Sequence, residues 1–329
     1  MTAVAPTLQA FFTQRLAQQR NASPHTIIAY RDTVRLLLRY AQRCTGKEPS
    51  MLDFADLDAT LVAGFLEHLE AERHNSVRTR NTRLSAIHSF YRYASYREPA
   101  HAELIARVLA IPEKRARRRV VSFLTHAEID ALLAAPDRQT WTGRRDHALL
   151  TTMAQTGLRV AEVRQLRARD LNLDAGPYVQ VTGKGRKERC TPLVGHTVAT
   201  LRAWLDERQG NPDDPLFPTR TGRILSYDAI ADLVAKHAAT AQQSCPTLAN
   251  KRVTPHTMRH SCAMELLNNR VDIAVIALWL GHERVQTTQV YLHGDLTIKQ
   301  RALDRVAPRG TPPGRYRPPD ALLAFLEGL

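Results

Sequence analysis

Residues 254–291 decide how this sequence is interpreted: the stretch opens with TPHTMRH at 254–260 and closes with LGHERVQTTQVY at 280–291. Thr254 and Pro255 are an N-cap and a first-turn proline, so a helix is predicted to begin here. His256 and Arg259 are three residues apart and would share one face of that helix. The triplet Leu-Gly-His is typical of a helix end, and Tyr291 follows it by nine residues.

Two upstream segments extend this pattern. Residues 156–162 read TGLRVAE, in which a glycine turn precedes a helix and Arg159 stands at the helix start. Residues 178–193 read YVQVTGKGRKERCTPL, which alternates around Gly-Lys-Gly and predicts a β-hairpin. Lys184 would lie at the hairpin tip, and Lys187 would take its place in a different register.

Taken in order, TGLR, GKGRK, HxxRH, LGH and TTxxY resemble the signature of the tyrosine recombinase (phage integrase) family. The resemblance is close over 120–306, and residues 7–110 are similar in pattern to the family's core-binding domain. It implies DNA strand cleavage and rejoining through a 3′-phosphotyrosyl intermediate, with Tyr291 as the nucleophile. The phosphate-handling residues that it implies are Arg159, Lys184, His256, Arg259 and His282.

These residue types suit that chemistry. Attack on a phosphodiester builds negative charge on its non-bridging oxygens, and Arg159 and Arg259 would clamp them while staying charged at any working pH. Glu162, one helical turn after Arg159, is expected to orient its guanidinium. Lys184 is predicted to protonate the leaving 5′ oxygen. We expect the cationic surroundings to lower the pKa of Tyr291.

The proton of Tyr291 needs an acceptor, and the sequence offers His256 or His282. His256 and His260 also have the i,i+4 spacing of a zinc motif, but Thr257 stands where the glutamate base would be. No G-x-x-x-x-G-K-[ST] loop occurs. Neither a metal nor a cofactor is therefore expected, and a phosphotyrosyl bond would conserve the energy of the cut strand. Four scattered cysteines predict free thiols in a reducing cytoplasm.

The charge indicates a polyanionic partner. The formal net charge is +14 and the isoelectric point about 10.1, and residues 1–119 and the remainder both carry more Lys and Arg than Asp and Glu. Such an excess favours nucleic acid, although a solvated basic surface is the alternative. Residues 7–110 predict four helices, with apolar stripes at 8–16, 27–38, 61–69 and 84–91. In the fourth, Arg78, Arg80 and Arg83 precede the apolar face and are candidates for phosphate contact.

Four segments are predicted along the chain. Residues 1–110 form a helical core-binding (SAM-like) domain, and 120–306 form the catalytic domain. Between them, 111–119 ends in Lys-Arg-Ala-Arg-Arg-Arg, which predicts a linker whose Arg117, Arg118 and Arg119 follow the DNA backbone. Nuclear localisation is the rival interpretation of this run. Residues 307–329 form a Pro-rich tail with an apolar C-terminal helix, which docks on its own domain or on a neighbouring protomer.

The expected fold is mainly α with a small β-sheet, arranged by resemblance as a two-domain, C-shaped clamp on double-stranded DNA. A homotetramer on paired sites, with sister recombinases as further partners, would integrate or transpose a mobile element. The alternatives are Xer-like chromosome or plasmid dimer resolution, a type IB topoisomerase-like enzyme, and an inactive DNA-binding regulator. No apolar run suffices for a membrane span, so a cytoplasmic protein is expected.

Overall fold

The computed structural model describes residues 3–115, 122–183, 188–282, 287–288 and 291. Its contacts divide the chain into two compact units, Met1–Arg118 and Arg119–Leu329. Over the described residues the protein is helical apart from one small antiparallel sheet, which confirms the predicted fold class. None of the helices in these ranges is both long and apolar enough to cross a bilayer.

The first unit is built from helices that polar residues cap at their starts. The side chains of Ser23, Asp58 and Ser76 accept backbone N–H bonds in the first turns of the second, third and fourth helices. The helices are α1 (Val4–Ala10) with a π-helical continuation (Phe11–Gln19), α2 (Pro24–Thr45), α3 (Ala59–Ala71), α4 (Val77–Ala94) and α5 (Ala102–Leu109). The fifth was not among the four predicted helices, because its N-cap, His101, supplies no side-chain cap.

Aromatic side chains fill the core of this unit. Phe11, Phe65, Phe90 and Tyr91 are buried, and the rings of Phe11 and Phe90 meet edge to face with centroids 5.6 Å apart. Large aromatic surfaces contribute much of the burial energy of a small domain. This core fixes one face of α4, the helix that carries Arg78, Arg80 and Arg83.

The second unit surrounds a three-stranded sheet. Its helices are α6 (His126–Ala134), α7 (Trp141–Thr156), α8 (Val160–Gln165), α9 (Gly195–Arg208), α10 (Tyr227–Ala241), α11 (Pro255–Asn268) and α12 (Ile273–Leu280). Its strands are β1 (Leu171–Asn172), β2 (Tyr178–Thr182) and β3 (Glu188–Pro192), antiparallel in that order, with Gln180 opposite Cys190. The predicted hairpin is confirmed as β2 and β3. The two-residue β1 is too short to give an alternating pattern.

The segment that leads into α11 is anchored to α6. It contains the 3₁₀ turn Pro246–Asn250, in which Leu248 is buried. Nζ of Lys251 lies 2.6 Å from a carboxylate oxygen of Glu128, which is itself buried. Further 3₁₀ turns occupy Pro49–Met51, Ala55–Leu57, Pro99–His101 and Ala168–Asp170.

Two clusters of apolar side chains form the interior of the second unit. In the larger, α7 runs through the centre and buries Leu149, Leu150 and Met153. The smaller joins α11 and α12 around Tyr291. The candidate tyrosine is therefore held by apolar packing between two helices. All four cysteines are free thiols, as predicted.

Candidate active site

Two arginines hold together three helices at points that are distant in sequence. Nη1 of Arg259 donates to the carbonyl of Gly157, and Nη2 donates to that of Leu280, at 2.6 Å each. Nη2 of Arg159 donates to the carbonyl of Gly281 at 3.0 Å. The end of α7, the end of α12 and the middle of α11 thus meet at one cationic cluster.

Both glycines in this cluster are required by the geometry. Gly157 ends α7 with φ of 61°, and Gly281 ends α12 with φ of 64°. These left-handed conformations favour glycine. A Cβ on Gly281 would lie 2.7 Å from Nη1 of Arg189, and one on Gly157 would lie 2.7 Å from Cδ2 of Leu280. The glycine in Leu-Gly-His therefore lets a third arginine approach the backbone.

A buried carboxylate orients the arginines. Glu162 is 6% exposed and lies 3.0 Å from Nη1 of Arg159, as the sequence predicted. It also pairs in bidentate fashion with Arg189 of β3, at 3.0 and 2.8 Å. Burial alone would raise the pKa of Glu162, but the hydrogen bonds from Arg189 and from the backbone of Arg159 hold it below its usual value. Glu162 is therefore ionised and fixes both guanidiniums.

Arg259 is the most deeply placed of these cations. Its side chain is buried, and burial followed by the charge of Arg159 lowers its pKa to about 10. It stays protonated at neutral pH, since that value lies well above 7. A buried, charged guanidinium with fixed hydrogen bonds is a pre-organised site for an anion.

Tyr291 lies beside these cations but is covered by protein. It is 2% exposed, and its Oη lies 3.0 Å from Nδ1 of His260. The prediction of a lowered pKa was wrong: burial raises the pKa of Tyr291 to about 12, and the opposing charges of Arg259 and Arg159 do not compensate. The phenol is therefore neutral in the free protein and keeps its proton.

Three histidines surround the tyrosine in different ways. His260 bonds its hydroxyl, whereas His282 stacks on its ring with centroids 6.5 Å apart and lies 2.7 Å from Oγ1 of Thr288 through Nδ1. His256 is exposed and packs edge to face on His260, with centroids 4.2 Å apart. Burial and the nearby arginines lower the pKa of His282 to about 4. The pKa of His256 is also lowered, by partial desolvation of the ring face that packs on protein and then by the charges of Arg259 and Arg159. The predicted helix start is confirmed, since Oγ1 of Thr254 caps α11.

Comparison with known proteins agrees with this geometry. The phage integrase family matches residues 122–297, and its N-terminal SAM-like domain matches residues 10–98. An integrase/recombinase of Sinorhizobium fredii is 53% identical over 326 residues, which cover 99% of this chain and 98% of that protein. The chain belongs to the phage integrase family of tyrosine recombinases.

Other members of the family match over most of their length. Tyrosine recombinase XerC of Pelobacter propionicus is 33% identical, covering 92% of this recombinase and 95% of XerC. The fold is shared with the crystal structure of XerH site-specific recombinase bound to palindromic difH substrate in a post-cleavage complex. That match has a TM-score of 0.69 at 22% identity and covers 87% of this chain and 81% of that chain.

The structure brings together most of the residues that the sequence selected in this recombinase. Arg159, Arg259, His282 and Tyr291 lie in one cluster, with His256 at its exposed edge. Lys184 and its substitute Lys187 lie outside the described residues, as do 117–119 of the basic linker and the tail 307–329.

The three arginines selected on α4 differ in their surroundings. Arg78 is exposed and Arg83 half-buried. Arg80 is 6% exposed, and its Nη1 donates to the carbonyl of Pro112 and to Asn81, both at 3.0 Å. Arg80 thus binds protein groups at the end of the helical unit, and Arg78 is the arginine of the three that is open to a phosphate.

Sequence reasoning missed two residues of the site. The sequence signal for His260 is its position one helical turn after His256, but this spacing was considered only as a possible zinc-binding motif. Arg189 lies in the hairpin strand next to the charged GKGRKE run, where no local pattern separates it from a solvated strand residue. Only its contact with Glu162, twenty-seven positions away, reveals it.

Proposed function

We propose that this recombinase cuts and rejoins duplex DNA through a 3′-phosphotyrosyl bond on Tyr291. The observation that carries the proposal is that the Tyr291 hydroxyl lies in the same cluster as Arg159 and Arg259, whose charges act on it. A scissile phosphate could replace the backbone carbonyls that now accept from Arg159 and Arg259, or could bind beside them. Its non-bridging oxygens would then contact two guanidiniums.

The chemistry balances without an energy source. The Oη–P bond forms as the P–O5′ bond breaks, the phenolic proton passes to a base, and O5′ takes a proton from Lys184. Rejoining reverses each step, with the 5′ hydroxyl of a strand displacing the tyrosine. Because one phosphoester replaces another, the bond energy is retained and no nucleotide cofactor is needed.

A covalent adduct tests this proposal. A binding site would first be selected from random duplex DNA, then made with a nick near the scissile phosphate so that the cut fragment dissociates. The wild-type protein should form a protein–DNA adduct that survives denaturation, and Tyr291→Phe should bind equally well without forming it. Tyr227→Phe is the matched control and should react normally. An adduct with Tyr291→Phe would move the nucleophile to Tyr178 or Tyr227.

We propose that the helical unit adds affinity through exposed arginines. Arg31, Arg35 and Arg39 are exposed at four-residue spacing on α2, and Arg78 is exposed at the start of α4. Removing one arginine that binds a phosphate should reduce the slope of log affinity against log salt by about 1. Arg39→Ala and Arg78→Ala should show this change. Arg107→Ala, which removes an exposed arginine paired with Glu103 on α5, is the control and should not.

A mobile-element role is our proposal for the biological reaction. It is supported by the integrase/recombinase relative at 53% identity. The second candidate is dimer resolution of the Xer kind, which the similarity to XerC supports. A recombination assay distinguishes these two roles. It compares two plasmids that carry one site each with a single plasmid that carries two sites as direct repeats. Joining of separate plasmids favours integration, whereas excision between repeats with no joining favours resolution. Relaxation of a plasmid without a site would indicate topoisomerase activity instead.

We further propose a cytoplasmic homotetramer on paired sites, with sister recombinases as additional partners. Two bound duplexes and four active tyrosines are what a paired strand exchange requires. Analytical ultracentrifugation with labelled sites should therefore show four protomers on two duplexes. A complex that remains at one or two protomers with paired sites would contradict this assembly.

A further inference from the structure

The nucleophile's hydroxyl has a partner that the sequence did not select. Nδ1 of His260 lies 3.0 Å from Oη of Tyr291. Nδ1 of His282 lies instead against Thr288, and His256 is exposed with its ring against that of His260. Of the three histidines, His260 is the one within hydrogen-bond distance of the tyrosine hydroxyl.

Helix α11 places this histidine relative to the phosphate clamp. Arg259 and His260 are adjacent, so their side chains leave the helix about 100° apart. Arg259 extends to the carbonyls of Gly157 and Leu280, and His260 extends to Tyr291. Arg259 would hold the phosphate and His260 would accept the phenolic proton. Because both side chains leave the same turn of α11, the backbone of that helix fixes the distance between them.

The charge states set the direction of the hydrogen bond. Burial keeps Tyr291 protonated by raising its pKa to about 12. Burial, then His256 and Arg259, lower the pKa of His260 to about 4, so its ring is neutral at pH 7. The other charged or titratable groups around the pair are Cys262 on α11, Arg159 at the start of α8 and His282 after α12. A neutral phenol donates to Nδ1 when the ring proton is on Nε2.

We infer that His260 is the catalytic base, accepting the Tyr291 proton at Nδ1 as Oη attacks phosphorus and returning it during rejoining. This inference rests on the proposed function. The Oη–H and P–O5′ bonds break, the Nδ1–H and Oη–P bonds form, and O5′ takes its proton from Lys184. In the reverse step, imidazolium at His260 protonates the departing tyrosine.

The same geometry makes the base depend on the substrate. Imidazolium at His260 lies next to the charge of Arg259, which opposes protonation in the free enzyme. A bound phosphate brings negative charge next to that guanidinium, which offsets its positive charge and raises the pKa of His260. His260 is therefore a weak base without DNA and a stronger one with the scissile phosphate in place.

The test separates the base from the acid. On the nicked site carrying a 5′-bridging sulfur, the leaving group needs no proton, so the rate reports nucleophile activation alone. His260→Asn keeps a hydrogen-bonding atom near the Nδ1 position but is not basic. It should cleave about 10²–10⁴-fold more slowly than wild type. Its rate should also rise about tenfold per pH unit, because hydroxide must then remove the proton.

Matched variants and a second readout complete the experiment. His196→Asn, an exposed histidine of α9, should cleave at the wild-type rate. If His260→Asn does not fold, His260→Gln takes its place. In ¹⁵N spectra of the free protein, Nδ1 of His260 should be unprotonated, and its signal should shift in Tyr291→Phe.

Three results would overturn the inference: cleavage by His260→Asn within threefold of wild type, a slow variant with the wild-type pH profile, or a protonated Nδ1. The protonation state of Nδ1 is measured without DNA, so this result does not depend on whether the protein cleaves. Failure of wild-type protein to form the adduct would instead remove the proposed function.

Discussion

Replacing Glu162 by glutamine removes one negative charge from the guanidinium cluster with almost no change of shape. One carboxylate oxygen accepts from Nη1 of Arg159 and Nη1 of Arg189, both at 3.0 Å. The other accepts from the backbone N–H of Arg159 and from Nη2 of Arg189, both at 2.8 Å. A glutamine has one oxygen, so its NH₂ group must face two donors or turn away from them.

The structure sets the size of the effect. Removing one partner of a buried ion pair costs about 3–5 kcal/mol. The side chain of Arg189 is 13% exposed, but that of Arg159 is 36% exposed and becomes hydrated when its partner is removed. We therefore expect the lower end, about 3 kcal/mol of unfolding free energy. Cleavage should slow by about 10–100-fold, since a loosened Arg159 contributes less to the charged transition state.

Tryptophan fluorescence during urea unfolding measures the stability change in the correct unit. The three tryptophans, Trp141, Trp204 and Trp279, all belong to the second unit. The control is Glu207→Gln, which removes the partner of the more exposed Arg144 and should cost up to about 1 kcal/mol without slowing cleavage. If Glu162→Gln proved as stable as this control and cleaved at the wild-type rate, the carboxylate would not organise the arginines.

The remaining predictions concern metal, the leaving group, the tail and acid stability. Cleavage should persist in EDTA because arginines supply the positive charge; inhibition that added magnesium or zinc reverses would falsify this mechanism. Lys184→Ala should recover cleavage on a 5′-bridging phosphorothiolate, because a sulfur leaving group needs no proton. If this variant is as inactive on that substrate as on normal DNA, Lys184 is not the acid, and Lys187 should be tested for that role. Deleting residues 308–329 should weaken pairing of two sites in gel shifts more than binding of one site; unchanged pairing would favour docking within one chain. The folded pKa values of His260 and His282, about 4, lie below their ordinary 6.5. The unfolded chain therefore takes up protons first, so the free energy of unfolding should fall as pH drops from 6.5 towards 4, by up to about 3 kcal/mol per histidine, and urea midpoints should fall with it. Constant midpoints over that range would contradict the burial of both rings.

The local structure of this protein follows from its sequence because local signals determine it. Thr254 caps the helix that it was expected to cap and is followed by a first-turn proline, and Ser23 with Pro24 begins α2 in the same way. The alternation around Gly-Lys-Gly gave the β2–β3 hairpin, and Gly157 marked the end of α7. The ordered motifs also selected the residue types that a phosphodiester reaction needs.

Only the tertiary structure decided which of those groups meet and what state they are in. Glu162 bonds Arg189 across twenty-seven positions, and Tyr291 bonds His260 across thirty-one. A local pattern carries no information about such pairs. The sign of the Tyr291 pKa shift was missed for a related reason. Burial opposes the phenolate while the arginines favour it, and only packed coordinates show that burial is the larger effect.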